Sequence, residues 1–164
     1  MKDLDEAVRA RALALGFDRI GVASADEALE PEFSRYEAFL AAEKHGKMAY
    51  LAEAREARRR LDTSAILEGA KSVVCVAERY AGTEESSDGE GVASYIARYA
   101  RGSDYHNHLR KRLRKLAAFV RTLAVGAQAR PMSDDAPVLE RAWAARSGLG
   151  FVGKHGLLIA PGLG

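Results

Sequence analysis

The sequence predicts an α+β domain, α/β-like, in which a central mixed sheet is flanked by helices. Two observations carry that expectation. Apolar stripes of helical period alternate with short apolar runs of strand length. The chain of 164 residues is also long enough for one domain with its own core.

The elements follow in order. Leu4, Val8, Ala12 and Leu15 fall on one face and predict a helix over 3–15, with Gly16 as its C-cap. Residues 17–23 alternate as a strand through Ile20 and Val22. Pro31 opens a second helix, where its missing N–H costs nothing, and Phe33, Tyr36 and Leu40 form its stripe up to Gly46. A third helix is expected over 48–60, ending in Arg58-Arg59-Arg60. Residues 71–77 read as a buried strand, and 82–91 as a polar loop without apolar residues to bury. Leu109, Leu113, Leu116, Val120 and Leu123 form one seam of a long helix over 103–125. Residues 129–133 suggest a strand. Pro137 with Asp134 or Asp135 as N-cap then predicts a helix from Val138 to Ser147, closed by Gly148. Residues 156–160 read as a last strand.

Composition narrows the function. The chain is 48% hydrophobic and 29% charged, as soluble domains are. No run approaches the roughly 18 apolar residues of a membrane helix, and the acidic start, Met1-Lys2-Asp3-Leu4-Asp5-Glu6, is unlike a signal peptide. A cytoplasmic protein without a membrane partner is expected. The single cysteine, Cys75, cannot form an intrachain disulfide or hold a metal cluster alone, and within Val73-Val74-Cys75-Val76 it reads as a buried strand residue. No residues in this chain are expected to bind a metal.

Net charge is only +2, yet Arg98 to Arg121 holds eight basic residues against one acid, Asp104. The runs Arg58-Arg59-Arg60 and Arg110 to Lys115 read first as solvated faces. The alternative is a phosphate-contacting surface, which Tyr95, Tyr99 and Tyr105 upstream favour slightly.

Two glycine motifs are decoys. Gly148-Leu149-Gly150-Phe151-Val152-Gly153 has the spacing of a dinucleotide fingerprint, but a helix precedes it and a strand follows, the reverse of what that site needs. Gly153-Lys154 is followed by His155, not the hydroxyl residue of a nucleotide-binding P-loop. The glycines instead predict a tight, close-packed turn. His106 and His108 point about 200° apart on a helix and do not share a metal easily. Asp134 and Asp135 are the sharpest candidates. One explains a helix cap; either, beside a cofactor and desolvated, can serve as a proton donor. Glu140 and Arg141, one turn on, read as surface ion-pair partners.

Taken together and in order, several segments resemble the epoxyqueuosine reductases. They are Met48-Ala49-Tyr50-Leu51, Arg60-Leu61-Asp62, Leu67 to Val74, Arg98-Tyr99-Ala100-Arg101-Gly102-Ser103-Asp104-Tyr105-His106, Asp134-Asp135-Ala136-Pro137-Val138-Leu139-Glu140-Arg141, and Gly148 to His155. The resemblance spans essentially the whole chain. It implies that residues 1–164 form an N-terminal cobalamin-binding domain. The activity implied is reduction of the epoxide of epoxyqueuosine at the wobble position of tRNA to queuosine, the last step of queuosine biosynthesis. Cobalamin, as cob(II)alamin, and two [4Fe–4S] clusters would serve it.

Asp134, the acid that opens the D-x-A-P motif, would be the proton donor. Asp135 stands where the family carries a small hydroxyl residue; if both were buried, repulsion would raise at least one pKa. Arg60, Ala97, Leu158, Ala160 and Lys154 would join Asp134 at the cofactor. Arg98, Arg101, Tyr105 and Lys111 would meet tRNA, the expected partner of a monomer. The family's cysteine-rich ferredoxin-like region has no counterpart here, which points to a piece of a longer protein, inactive without that region. The alternative is a non-catalytic module that binds cobalamin or RNA.

Overall fold

The structure, a computed structural model, describes residues 2–79 and 104–163. The expected loop over 82–91 and the candidates Ala97, Arg98 and Arg101 lie outside the described residues. Helix α1 (Lys2–Ala14) leads through Gly16, at φ +86°, into strand β1 (Arg19–Ser24). Helix α2 (Glu30–Ala41) carries Pro31 in its first turn, as the sequence predicts. A 3-10 turn (Ala49–Ala52), α3 (Arg55–Arg59) and β2 (Ser72–Ala77) follow. Then come α4 (Tyr105–Thr122), α5 (Glu140–Arg146), β3 (Phe151–Val152) and β4 (Leu158–Ile159).

The chain is α+β. Among the described residues the pairing is antiparallel throughout, in two small sheets rather than one mixed sheet. β1 pairs with β2 in the register Ile20↔Val76, Gly21↔Cys75, Val22↔Val74, and β3 pairs with β4 through Phe151↔Ile159.

Period-two alternation gives the β1–β2 sheet two different faces. Ile20, Val74 and Val76 pack with α1 and α4 around Val8, Ala12, Phe17 and Leu116. The α4 seam read from the sequence, Leu109, Leu113, Val120 and Leu123, closes this cluster. Val73 and Cys75 face the other way, onto Trp143, Leu29, Leu61 and Ile66. The result is three layers: α1 with α4, the two-stranded sheet, and α5. Arg112 staples the first two, donating to the Gly16 carbonyl at 2.9 Å, pairing with Glu78 and lying 4.6 Å over the Phe17 ring.

Gly21 lets α5 seat closely. A Cβ there would lie 2.5 Å from the Ser147 carbonyl oxygen, so only glycine allows the last turn of α5 to touch the sheet.

Three local expectations change. Residues 48–60 are not one helix: Ala54, at φ +47°, breaks the run, and Arg58 is buried rather than solvated. It lies 5.4 Å over the Tyr36 ring and donates to the Tyr50 carbonyl. Residues 129–133 form no strand and have no ladder partner among the described residues; Arg130 instead ties this stretch to the Ala65 and Ile66 carbonyls. Helix α5 starts at Glu140, not Val138, with Leu139 at the cap position and no side-chain cap. The two aspartates are therefore free for other contacts.

Candidate active site

Residues 133–137 form an irregular turn between the extended chain and α5. Asp134 sits in it at φ +53°. That left-handed conformation costs a non-glycine residue about 1 kcal/mol or more, so the surroundings must hold it. Several contacts do. The Asp134 N–H donates to Glu140 Oε1 at 3.1 Å, across the first turn of α5. The Tyr105 hydroxyl donates to Asp134 Oδ2 at 2.8 Å. The Ser133 N–H donates to Asp135 Oδ1 at 2.9 Å, and Arg110 Nη2 lies 3.5 Å from Asp135 Oδ2. The turn thus uses Asp135 as a brace against α4 and leaves the Asp134 carboxyl exposed.

The N-terminus of α4 faces this carboxyl. Asp104 caps the helix, its Oδ1 accepting the His106 N–H at 3.0 Å. The same oxygen meets His106 Nδ1 at 2.7 Å, and these hydrogen bonds hold the Asp104 carboxyl below the usual carboxylate range. The other ring nitrogen, Nε2, lies 3.7 Å from Asp134 Oδ2. The Tyr105 and His106 rings stack at 4.1 Å. His108 points away, 3.5 Å from Glu78, as the helical spacing predicts. Among the described residues no group of three His, Cys, Asp or Glu can hold a metal ion.

Glu140 is the member the sequence undervalued, reading it as a surface ion-pair residue. Its carboxyl is pushed above the usual range by desolvation against the turn, and then by the negative Asp134 and Asp135; the hydrogen bond from the Asp134 N–H opposes this. Arg141, next along α5, donates to the Gly156 carbonyl. One helix end therefore ties Asp134 to the β3–β4 hairpin. Phe151 and Leu157, both exposed by more than half, and Val152 leave an apolar surface on that hairpin. Leu158 is half-buried and Ala160 buried beneath it, while Lys154 is exposed at the turn.

Arg60 is half-buried beside Asp62 at 3.4 Å. Leu61, which follows it, packs in the cluster of Trp143, Val138 and Leu139. Lys111 is exposed on α4. A cleft of about 160 Å³ opens beside the turn, lined by Arg110, Leu113, Arg114, Pro131, Met132 and Asp135.

A family model described as "Epoxyqueuosine reductase QueG, DUF1730" matches residues 60–135. An epoxyqueuosine reductase of Gloeobacter violaceus is 40% identical over 153 residues, covering 93% of this chain and 46% of the relative. That of Escherichia coli is 33% identical over 162 residues, covering 97% and 42%. The solved structure of epoxyqueuosine reductase from Streptococcus thermophilus superposes with a TM-score of 0.77 at 25% identity, over 98% of this chain and 42% of that one. The chain is similar to epoxyqueuosine reductases over nearly its whole length. It spans about half the length of the curated relatives it matches. Among the described residues no helix is long and apolar enough to cross a membrane.

Proposed function

We propose that this chain supplies the cofactor-holding face and the proton donor for reducing the epoxide of epoxyqueuosine at the wobble position of tRNA. One observation carries the reading: an exposed carboxyl, Asp134, is held in a strained turn by Glu140, Tyr105 and Asp135's brace, on the same helix end whose Arg141 holds an apolar hairpin. Strain retained at an exposed acid is more economically explained by function than by stability.

Cobalamin fits the chemistry of the residues present. Its corrin is a broad ring with apolar faces and amide arms. The exposed Phe151, Val152 and Leu157 offer apolar area, and the β4 chain through Leu158 and Ala160 would lie alongside. Arg60 and Lys154 would meet its amide and phosphate oxygens. When bound, the group supplies the electrons that open the epoxide. This chain's own part is to place the Asp134 carboxyl where it delivers a proton to the departing epoxide oxygen, with the Tyr105 hydroxyl fixing Oδ2. Exposed Lys111 on α4 would contact tRNA phosphates, along with Arg98 and Arg101. Any [4Fe–4S] cluster takes several thiolates, so Cys75 alone cannot hold one and the ligands would come from outside these residues.

Two measurements test this. Titration with cobalamin should change its visible spectrum, and Asp134→Asn, in the complete reading frame, should abolish epoxide reduction while leaving that spectral change intact. Full turnover by Asp134→Asn would remove Asp134 as donor. A chain that leaves the cobalamin spectrum unchanged while retaining RNA binding would favour a purely RNA-binding module.

A further inference from the structure

The geometry points to His106 as a positioning residue that returns a proton to Asp134 between turnovers. This rests on the reading of Asp134 as the proton donor.

An acid that gives up its proton must regain one before it can act again. Asp134 Oδ2 has two neighbours from the start of α4. The Tyr105 hydroxyl, at 2.8 Å, is a weak acid and serves to orient. The imidazole is the group suited to carry a proton near neutral pH. It sits in a line of three groups: Asp104 Oδ1 at 2.7 Å from Nδ1, then the ring, then Asp134 Oδ2 at 3.7 Å from Nε2.

The Asp104 contact fixes the tautomer. A carboxylate accepts only, so the nitrogen facing it carries the hydrogen, and in the neutral ring Nε2 is bare and directed at Asp134. Protonated, the ring carries its second hydrogen on Nε2. A small rotation of the exposed Asp134 side chain, or one bridging water, closes the remaining gap.

A two-electron reduction of an epoxide takes up two protons. As the C–O bond breaks with the reductant's electrons, Asp134 gives the first proton to the oxygen and becomes a carboxylate, and the second comes from solvent. The Nε2 proton of His106 passes to Asp134 Oδ2, leaving the neutral Nδ1–H ring. That ring, half-buried, takes a proton from solvent at Nε2. The charged and titratable groups around this line are Asp104 and Tyr105 beside the ring, Arg110 one turn along α4, Asp134 and Asp135 on the turn, and Glu140 on α5.

The test separates the first turnover from those that follow. With the complete reading frame, loaded cofactor and saturating reductant, His106→Ala should open the first epoxide within about twofold of the wild-type rate. Its steady-state rate at pH 8 should fall by about 100-fold, the scale of a lost acid–base step, and added imidazole should restore it. Independently of activity, the ¹⁵N spectrum of the neutral His106 ring should show the Nδ1–H tautomer, and Asp104→Asn should remove that preference. Wild-type steady-state turnover in His106→Ala, a first turnover slowed as much as the later ones, or a neutral Nε2–H ring in the wild type would each overturn the relay. Asp134→Asn tells the two readings apart. If it is inactive while His106→Ala turns over normally, only the relay falls. If Asp134→Asn is active, the donor assignment falls with it.

Discussion

Replacing Gly150 by alanine puts a methyl group where β4 already runs. A Cβ built there lies 2.8 Å from the Ile159 carbonyl carbon and 3.0 Å from the Ala160 Cα, and closer still to the Ile159 carbonyl oxygen. Comfortable carbon–carbon contacts begin at about 3.5 Å, so the two strands must part by more than about half an ångström. No rotamer change relieves this, because the struck atoms are main chain. Overpacking costs about 1–3 kcal/mol, and a clash this close with main chain lies at the upper end; the gain from a stiffer unfolded chain returns about 0.4–1, leaving a net loss of about 2 kcal/mol. With a urea slope of about 2 kcal/mol/M, the unfolding midpoint should fall by about 1 M. Gly148→Ala is the control. Nothing lies within 4 Å of its Cβ position, but its φ is +79°, so it should lose only the left-handed penalty. That is about 1 kcal/mol, or about 0.5 M in urea. Paired denaturation curves followed by far-ultraviolet circular dichroism make the comparison. A Gly150→Ala midpoint at or above that of Gly148→Ala would refute the steric argument.

Three further outcomes follow from other parts of the molecule. Trp143 is 1% exposed at the centre of its cluster, so Trp143→Ala should cost about 3–5 kcal/mol in urea unfolding. Its indole N–H finds no acceptor among the described residues, so Trp143→Phe should cost far less; equal losses would contradict this. Burial pushes the Cys75 thiol up to about 11, against a lowering hydrogen bond with Ser147, and Glu140's charge adds to the rise. Thiol labelling at pH 8 should therefore run on the order of 100-fold slower in the native chain than after denaturation, since only the thiolate reacts. Comparable rates would show the thiol to be accessible and ionised. Desolvation holds the Glu140 carboxyl above its ordinary value, with Asp134 and Asp135 adding to the effect. The native state therefore keeps a proton there that the unfolded chain has released, and stability falls as pH rises from the ordinary glutamate value through the raised one. Glu140→Gln should flatten that part of the stability curve; a curve parallel to the wild type would dismiss the account.

How much of this was legible in the sequence depended on the range of the interaction. The α4 seam was readable because it repeats every three to four residues, and all five of its apolar positions lie in or against one cluster. β1 and β2 were readable from apolar runs, but their antiparallel pairing across 72 and 24 is a long-range fact that no local pattern carries. The glycines of 148–153 advertised a close turn, and their reasons prove to differ. Gly148 supplies a positive φ, while Gly150 and Gly153 supply space. At the site, motif order singled out Asp134, and spacing noticed His106, but neither reveals that His106 and the Tyr105 hydroxyl converge on one Asp134 oxygen. Asp135 was expected to matter through repulsion if buried. It is exposed and paired with Arg110, and the crowded carboxyl is Glu140 instead. That exchange could not be read locally, because it depends on α5 starting two residues late.

Helix α5 explains why a strained turn can be held at an exposed rim. At seven residues it is about 10 Å long, too short to be stable by itself. Its position is set by what it touches. Trp143 and Ala144 bury its middle, and Ser147 at its end rests on Gly21 of β1. With those contacts fixed by the core, its first residues have little freedom, and Glu140 and Arg141 project from a rigid base. Glu140 accepts the Asp134 N–H, and Arg141 donates to the hairpin carbonyl of Gly156. The cost of left-handed backbone at Asp134, about 1 kcal/mol or more, is small against the several kcal/mol that burying Trp143 contributes. The acid's conformation is thus secured from the core outward through one short helix, which leaves its carboxyl exposed beside Tyr105 and His106.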